Sequence, residues 1–401
     1  MIETTANLVV DFGNSETRVI TQVMGSKQRE GKDPVKSRFA KLSNRYAGVE
    51  SIEEIPEAYL RKEEDRGYLE DINLEQEDRT YIFDYNGSIF AVGKYVERER
   101  GRDVIRPSSL EKKYTSITTE LAMRMALIEG YESLAEMLDT FEDNLEVKWN
   151  VTVLIPPADI DYGAEQLTEK IKGIKELVSY NPEIKTKIQI ESVKVLAEGF
   201  ASFLGVLFNQ EGKGRKDYLG LAKTTTLIID VGAGTTDYSL IKNAEPIDDM
   251  KDTVTIGGNN VVQTVRKELR ARGITTTDEE IQEAVKTGYI SDGANKIDLV
   301  ESLNEAKSRI ARDIVNSIRD YFEYGSIPAR GVNNLLVVGG GSLNTVNGSK
   351  PISEFLVEYF RSLSPNVELV EIPNGGEGEN VPVNPRNLNV IGASIVSRRT
   401  L

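Results

Sequence analysis

Three uninterrupted apolar runs mark the chain, and each ends in a turn of glycine and small polar residues. They are Leu8-Val-Val-Asp-Phe-Gly-Asn-Ser, Leu227-Ile-Ile-Asp-Val-Gly-Ala-Gly and Asn334-Leu-Leu-Val-Val-Gly-Gly-Gly. A run without polar alternation is typical of a strand that is covered on both faces. Because glycine lets the backbone approach a ligand closely, these turns are candidate binding positions. The first two runs follow one pattern, which predicts two hairpins that hold one ligand from opposite sides.

Between these runs, strand and helix patterns alternate along the chain. Alternating apolar residues on both sides of Asn86-Gly87 predict a tight hairpin. Apolar residues three and four positions apart predict a long amphipathic helix over 297–324 that packs on a sheet. The stretch 209–222 is rich in glycine and lysine and is the best candidate for a linker. Further helices are predicted over 118–138, over 163–180 and from about Glu198, and further strands over 147–156 and 188–195. We therefore interpret the chain as two related α/β domains in series.

The composition excludes several classes of chemistry. The chain has 401 residues, enough for two domains with their own cores, and it contains neither cysteine nor histidine. This rules out disulfides, thiolate or histidine metal sites, thiol nucleophiles and Ser-His-Asp catalysis. Carboxylates and a hydrated cation are the chemistry that remains.

The formal net charge of −15 argues against a protein that coats nucleic acid by itself. Phosphate contact needs clustered Lys and Arg, so any role on DNA would pass through a basic partner. The start, Met1 to Asn7, has no cationic region ahead of an apolar core, and no run approaches the roughly 18 apolar residues of a membrane span. We expect a soluble cytoplasmic protein without membrane association.

Motifs of other nucleotide-binding and catalytic classes do not fit. Gly232-Ala-Gly234 lacks the third glycine of a dinucleotide fingerprint, since Asp237 stands in that position, and no P-loop pattern occurs. Asp11-Phe12-Gly13 imitates the metal motif of protein kinases, but no glycine loop precedes it and their catalytic loop requires a histidine. Gly13-Asn-Ser15 lacks the glycine that a nucleophile elbow needs.

The order of the three motifs resembles a known superfamily. Asp-Phe-Gly-Asn-Ser-x-Thr-Arg, Asp-Val-Gly-Ala-Gly-Thr-Thr-Asp and Val-Val-Gly-Gly-Gly resemble the phosphate 1, phosphate 2 and adenosine motifs of actins, heat-shock chaperones and sugar kinases. Within that superfamily the chain is most similar to the plasmid-segregating bacterial actins, the ParM and Alp group. Three segments carry this likeness. Ser192 to Ala201 resembles the group's first connecting segment, Asn304 to Ile310 the helix that reaches the nucleoside, and Asn387 to Ala393 the second connecting helix.

The resemblance implies an α/β protein with the actin-like fold. It consists of two related RNase H-like domains, each with a smaller inserted subdomain, and binds a nucleotide in the cleft between them. Domain I would span 1–222 with an insertion at about 27–112, and domain II would span 223–386 with an insertion at about 257–300. Residues 387–401 would return to domain I.

The resemblance also implies roles for the two turns. Cleavage of a triphosphate concentrates charge on phosphate oxygens, so catalysis consists mainly of positioning and electrostatic stabilisation. Backbone amides of the first turn would hold the β-phosphate, and the second turn would hold the γ-phosphate. Arg18 stands where the family commonly has lysine. Its planar guanidinium differs in shape from a lysine ammonium, so the contact of this side chain with the phosphate would shift or be lost. The phosphate ligands would be Gly13, Asn14, Ser15, Arg18, Gly232, Gly234, Thr235 and Thr236.

Three carboxylates are the candidates for catalysis. Asp11 and Asp230 end their strands facing one cleft, where they would repel each other unless a cation lay between them. We assign both to a hydrated Mg²⁺, which keeps several waters and takes one or two carboxylates. Asp230 would also contact the attacking water, and Glu198 would orient and partly deprotonate it. The alternative for Glu198 is a glutamate favoured by a helix dipole.

The nucleoside would lie against the third turn. Gly339, Gly340 and Gly341 would leave room for the adenosine and the α-phosphate. Glu305 and Arg309 lie one turn apart on a helix and could border the ribose and base, or form an ion pair without a ligand. Gly258, between a strand and a helix, resembles the start of the small lobe of domain II.

The implied function is a filament-forming, Mg²⁺-dependent ATPase that binds ATP and ADP, with GTP also open. Polymerisation would move plasmid or phage DNA through a small DNA-binding adaptor, and hydrolysis would drive filament turnover. The alternative is a non-polymerising small-molecule kinase or a chaperone-like ATPase of the same fold. A chaperone would need a substrate-binding domain after Leu401, and a membrane scaffold would need a longer amphipathic tail than residues 394–401 provide.

Overall fold

The computed structural model describes residues 2–14, 16–23, 36–60, 80–99, 104–108, 111–142, 145–292, 295–343, 348–375 and 380–399. Ser15 therefore lies outside the described residues. The strands are β1 (Ile2–Phe12), β2 (Glu16–Val23), β3 (Ser37–Ser43), β4 (Tyr46–Val49), β5 (Thr80–Tyr85), β6 (Ser88–Gly93), β7 (Leu145–Ile155), β8 (Glu176–Asn181), β9 (Glu183–Lys187), β10 (Gln189–Ala197), β11 (Thr225–Val231), β12 (Thr236–Lys242), β13 (Glu245–Val254), β14 (Tyr289–Asp292), β15 (Asn295–Asp298), β16 (Asn334–Val338) and β17 (Glu368–Leu369).

Helices cover the sheets and connect them. They are α1 (Lys94–Glu99), α2 (Ile117–Leu138), α3 (Ile160–Lys172), α4 (Glu198–Leu207), α5 (Gly258–Ala271), α6 (Asp278–Thr287), α7 (Val300–Tyr324), α8 (Ile352–Phe360) and α9 (Leu388–Arg399). Among the described residues, no helix is both long enough and apolar enough to span a bilayer.

Two five-stranded sheets have the same topology. The first has the order β10-β7-β1-β2-β3 and the second the order β13-β12-β11-β16-β17. In each sheet, three consecutive antiparallel strands are extended by two parallel strands on the far side of the first. The three predicted apolar runs occupy β1, β11 and β16, in chain order. All are buried, as the absence of polar alternation predicts.

A third sheet, of order β4-β6-β5-β8-β9, packs beside the first. The predicted hairpin at Asn86-Gly87 is confirmed as the β5–β6 turn, where both residues have positive φ, 54° and 79°. The predicted helix over 163–180 is wrong in its last part. Helix α3 ends at Lys172, and Leu177, Ser179 and Asn181 then alternate inward as strand β8. This alternation is too short to stand out beside the helical spacing that precedes it.

The long amphipathic helix is confirmed as α7, and its apolar stripe is buried against the second sheet. It begins at Val300 rather than at 297, because 295–298 pairs with 289–292 as a short hairpin. The buried apolar stripe of α7, together with the residue just before this helix, consists of Leu299, Leu303, Ala306, Ile310, Ile314 and Ile318.

The predicted linker at 209–222 is more ordered than expected. Phe208 and Gly214 form a β-bridge, and the buried amide of Gln210 bonds the carbonyl of Val381.

Helices α4 and α9 cross in close contact between the two large sheets. A Cβ atom at Gly392 would lie 1.7 Å from the carbonyl oxygen of Ala201, and one at Gly205 would lie 2.6 Å from that of Leu388. Only glycine allows backbones to approach this closely. Helix α4 contacts β10, β11 and β12, and α9 packs on β1 and β7, so this crossing joins the two halves of the molecule.

Candidate functional site

The three glycine turns meet at one cavity between the two large sheets. Its volume is about 300 Å³, at the lower end of the range for small-molecule sites. Each turn follows the carboxyl end of a central strand, which is where open α/β sheets bind ligands. Twelve of the residues predicted from the sequence line this cavity: Asp11, Gly13, Asn14, Arg18, Glu198, Asp230, Gly232, Thr235, Gly258, Gly339, Gly340 and Gly341.

The first turn joins β1 to β2 and is held from two sides. The amide of Gly13 donates to the carbonyl of Glu16 at 3.2 Å, and the side chain of Asn44 donates to the carbonyl of Gly13. A Cβ at Gly13 would lie 2.6 Å from the Glu16 carbonyl oxygen, so the tight turn requires glycine. Arg18 pairs with Asp11 at 3.6 Å and with Glu16, which places a buried cation opposite the last residues of β1.

The second turn joins β11 to β12 and repeats this geometry. The amide of Gly232 donates to the carbonyl of Thr235 at 2.8 Å. The start of α5 then packs onto the turn, because the amides of Gly258 and Asn259 donate to the carbonyls of Gly232 and Ala233 at 2.9 and 2.7 Å. A side chain at Gly341 would also collide with Gly232, at 2.8 Å. The second and third turns are therefore in direct backbone contact.

The two hairpins differ in the residue opposite the strand-ending aspartate. Arg18 lies opposite Asp11 in the first hairpin, whereas Asp237 lies opposite Asp230 in the second. The pKa of Asp230 is raised to about 6 and that of Asp237 to about 7, with burial as the largest cause and the nearby carboxylates contributing to both shifts. Hydrogen bonds from Asn389 to Asp230 and from Thr253 to Asp237 act in the opposite direction. The second hairpin thus presents excess negative charge to the cavity.

Glu198 is the first residue of α4, and it forms an ion pair with Lys113 inside the cavity. The pKa of Glu198 is raised to about 8, and burial is the largest cause of the shift. Lys113 opposes this shift, and Asp11, Asp237 and Asp230 add to it. Burial disfavours the charged form of Lys113, but Glu198 and Asp11 outweigh it, so the pKa of the Lys113 ammonium is raised. Lys113 therefore stays cationic where it contacts Glu198.

The donor set fits a divalent cation that is shared with a ligand. Asp11 and Asp230 are buried carboxylates from different sheets that line one cavity. Within the described residues, no three acidic side chains converge closely enough to hold a metal ion by themselves. A cation bound by one or two carboxylates and several waters, as Mg²⁺ prefers, agrees with both observations when phosphate oxygens supply further ligands.

Several predicted ligands do not line the cavity. Thr236 is buried, and its hydroxyl donates to the carbonyl of Ile256 at 2.7 Å, while Gly234 is half-buried beside it. Glu305 and Arg309 are exposed on α7, because the buried stripe of this helix faces the core and leaves them toward solvent. Part of the cavity wall comes instead from Val262 of α5 and from Gln282, Val285 and Lys286 of α6.

Sequence reasoning also missed four polar residues of the site. Asp237 ends the second repeated motif, and Asn389 belongs to the segment assigned to the second connecting helix. Both residues lie in segments that the sequence analysis names, but it assigns neither of them a role in the site. Arg386, just before α9, lines the cavity beside Gly340. Lys113 precedes α2 and carries no local signal, since it reaches the site only when the chain is folded.

Comparisons with known proteins agree with this arrangement. Residues 228–347 match the family model for the C-terminal part of the MreB-like archaeal actin homologues. No curated protein matches the chain by sequence. In structure, the chain is similar to the actin-like protein Alp7A, with 18% identity and a TM-score of 0.67 over 99% of this chain and 97% of that chain.

Two further solved structures cover nearly the whole chain. The archaeal actin homologue Ta0583, in a complex with ADP, has 16% identity and a TM-score of 0.61 over 99% of this chain and 100% of that chain. A ParM protein in a 15-stranded filament from Clostridium botulinum has 16% identity and a TM-score of 0.62 over 99% of both chains. The chain therefore has the actin-like fold, as predicted. Among proteins of this fold, its predicted likeness to ParM and Alp is confirmed at the level of structure.

Proposed function

We propose that the protein is a Mg²⁺-dependent ATPase of the actin-like class that forms nucleotide-dependent filaments and segregates plasmid or phage DNA. The observation that carries the proposal is the meeting of two equivalent glycine turns, one from each large sheet, across a cavity lined with buried carboxylates. This arrangement suits a ligand that is a chain of phosphates with a bound cation. The boundaries predicted for the two domains, 1–222, 223–386 and 387–401, belong to the same proposal.

The phosphates would lie between the two turns. Backbone amides of Asn14 and Ser15 would hold the β-phosphate, and those of Gly234 and Thr235 would hold the γ-phosphate. The amides of Gly13 and Gly232 close the two turns themselves. Thr236 would support the second turn rather than contact the ligand, because its hydroxyl bonds Ile256. Lys113 and Arg18 supply positive charge for the phosphates. Asp11 and Asp230 would hold Mg²⁺, which would neutralise phosphate charge when bound.

The nucleoside would lie between the third turn and the α5–α6 wall. Gly339, Gly340 and Gly341 leave this part of the cavity open, and Val262 and Val285 give it apolar surface. Arg386 borders it beside Gly340. Glu305 and Arg309 would not contact the nucleoside, since both side chains point to solvent. ATP and GTP both fit this description of the pocket.

Glu198 is the proposed base for hydrolysis. Its carboxyl group is buried in the cavity near both strand-ending aspartates, and its pKa is raised. A bound cation would favour the ionised carboxylate, which would then accept a proton from water. Lys113 would hold Glu198 in place before the nucleotide binds, and phosphate charge would then compete for the ammonium. Asp230 would help to orient the attacking water.

Filament formation and DNA segregation are supported by fold-level likeness and by charge. A filament of a ParM protein is among the structural neighbours, although identity is only 16%. With a net charge of −15, the protein would contact DNA through a basic adaptor rather than directly. We place this assembly in the bacterial cytoplasm.

The test is sedimentation combined with phosphate release. We expect polymer in the pellet with Mg²⁺ and ATP, much less with ADP or EDTA, and phosphate release that Asp230→Ala abolishes. Parallel reactions with GTP measure the base preference. Protein that stays in the supernatant at all concentrations but transfers phosphate to a small acceptor would support the kinase alternative and contradict the filament proposal.

A further inference from the structure

The side chain of Asn389 joins the candidate metal ligand Asp230 to the crossing of α4 and α9. Its amide nitrogen donates to Oδ2 of Asp230 at 2.8 Å, and its amide oxygen accepts a hydrogen bond from the hydroxyl of Ser202. All three side chains are buried, at 6%, 7% and 0% exposure. Buried polar groups that satisfy one another in this way define one geometry, because any other leaves a group unpaired.

The other oxygen of Asp230 is also confined. A Cβ at Gly339 would lie 2.2 Å from Oδ1 of Asp230, so this oxygen fills the space that a side chain would need. Gly339 has a φ of +88°, which also favours glycine. The carboxylate is thus held by a hydrogen bond on one oxygen and packed against the third turn on the other.

Asn389 is itself fixed by the helix crossing. Asn389 and Ser202 lie within one helical turn of the backbone contacts that Gly392 and Gly205 make across α4 and α9. These contacts leave the helices little freedom to slide, so the distance between the two side chains is set by backbone packing. Glu198 lies on the same helix as Ser202, four residues earlier. The crossing therefore fixes both the proposed base and the partner of Asp230.

The chemistry of an amide suits this position. A neutral donor orients a carboxylate without cancelling its charge, so the full negative charge remains for a cation. A lysine here would compete with the cation, and an aspartate would add a further negative charge to a cavity that already holds four acidic side chains.

We propose that Asn389 is a positioning residue that orients the Asp230 carboxylate for the metal–nucleotide complex and couples it to the α4–α9 crossing. This inference rests on the proposed function. Loss of the amide donor lowers the affinity of the nucleotide complex for the cation, and leaves the affinity for nucleotide without metal nearly unchanged.

The test compares Asn389→Leu, which removes the donor at similar size, with Asn387→Ala. Asn387 is a matched control because it is buried at the start of the same helix and donates to the carbonyl of Pro382 at 2.8 Å, away from Asp230. The affinity of the ADP complex for Mn²⁺ is measured by electron paramagnetic resonance, ADP affinity in EDTA by calorimetry, and kcat and KM for ATP by phosphate release.

We expect Asn389→Leu to weaken Mn²⁺ binding about tenfold, as loss of a hydrogen-bond partner of a metal ligand does. ADP affinity in EDTA stays within about twofold, and kcat falls more than KM rises. Asn387→Ala leaves Mn²⁺ affinity unchanged even if its thermal stability falls. Wild-type Mn²⁺ affinity in Asn389→Leu, or an equal loss in Asn387→Ala, would overturn the inference.

Ser202→Ala keeps the test informative if Asn389→Leu does not fold. It removes one hydroxyl, frees the Asn389 amide to turn, and should weaken Mn²⁺ binding about threefold. Unchanged Mn²⁺ affinity in this variant would also contradict the inference. A wild-type protein that binds neither ADP nor ATP would instead overturn the proposed function itself, so the two failures are distinct.

Discussion

At the residue scale, the cavity concentrates acidic groups that the fold buries. In the described residues, four carboxylates line it against the two cationic side chains of Lys113 and Arg18, with Lys286 and Arg386 near the nucleoside wall. A protein selected for stability alone would not keep so many buried acids in one place. The free-energy cost of burying these carboxylates is explained if the site also binds a cation and phosphates.

Asp237→Asn should stabilise the nucleotide-free protein at alkaline pH. The folded-state pKa of Asp237 is raised to about 7 from an ordinary value of 3.8, so the folded state binds this proton more tightly than the unfolded state does. Stability from this group is therefore lost as pH rises from about 4 through about 7. The substitution removes that loss, and we expect a Tm at least about 2 °C higher at pH 8 but nearly unchanged at pH 4.

Thermal denaturation across this pH range measures the effect. Asp313→Asn on the exposed face of α7 is the control, because it changes the same net charge at a solvated position. A gain in Tm that is equal for both variants, or a gain for Asp237→Asn that is largest at pH 4, would contradict the burial of this charge.

Mg²⁺-ATP binding should release protons near pH 7. The carboxyl groups of Asp230, Asp237 and Glu198 have pKa values raised to about 6, 7 and 8, so part of this set is protonated in the nucleotide-free protein. A bound cation favours their ionised forms. Calorimetric titrations in two buffers of different ionisation enthalpy give the number of protons, and proton uptake would contradict the prediction.

Several contacts of the site could not be predicted at the residue scale. The Lys113–Glu198 and Asn389–Asp230 pairs join positions 85 and 159 residues apart, and nothing local marks either partner. In contrast, the glycines of the turns could be predicted, because each cluster directly follows a buried apolar run. The sequence did not indicate that Glu305 and Arg309 lie outside the cavity lining, because a helical pattern identifies the buried face but not what lies beyond its edge.

At the element scale, helices α4 and α9 are packed backbone to backbone at Gly392 and Gly205. Gly392→Ala should destabilise the protein by at least about 2 kcal/mol, since its Cβ would lie 1.7 Å from a backbone oxygen that has no free direction to move. Chemical denaturation measures the change. Gly220→Ala, where an added Cβ meets no atom within 4 Å, is the control and should stay within about 0.5 kcal/mol.

The sequence predicted long elements better than short ones. Strands β1, β11 and β16 and helix α7 follow from runs in which every turn or every residue carries the same signal. Strand β8 was mistaken for helix because its six residues alternate only briefly, and the 289–298 hairpin shortened α7 for the same reason. Short elements form when tertiary pairing supplies the hydrogen bonds, which local pattern does not report.

At the scale of the whole molecule, two sheets of one topology present the same turn to a shared cavity. A ligand that contacts both turns would link the two halves and oppose their separation. The filament proposal depends on this link, since a nucleotide that binds only one half cannot change how the halves are arranged. The repeated motif predicted two related halves with equivalent hairpins, whereas the strand order of the sheets and the exact walls of the cavity were not predicted.

The most direct test of the central claim is the equilibrium binding of Mg²⁺-ATP by the wild type, Gly340→Val and Gly220→Val. Gly340 lines the cavity, and the three atoms nearest to an added Cβ all belong to the flexible Arg386 side chain, the first of them 3.2 Å away, so the fold should survive. We predict binding of one nucleotide per chain, weakened at least about tenfold, or about 1.4 kcal/mol, by Gly340→Val and unchanged by Gly220→Val. Equal affinity in all three proteins, or no binding by the wild type, would contradict a nucleotide site at the junction of the two sheets.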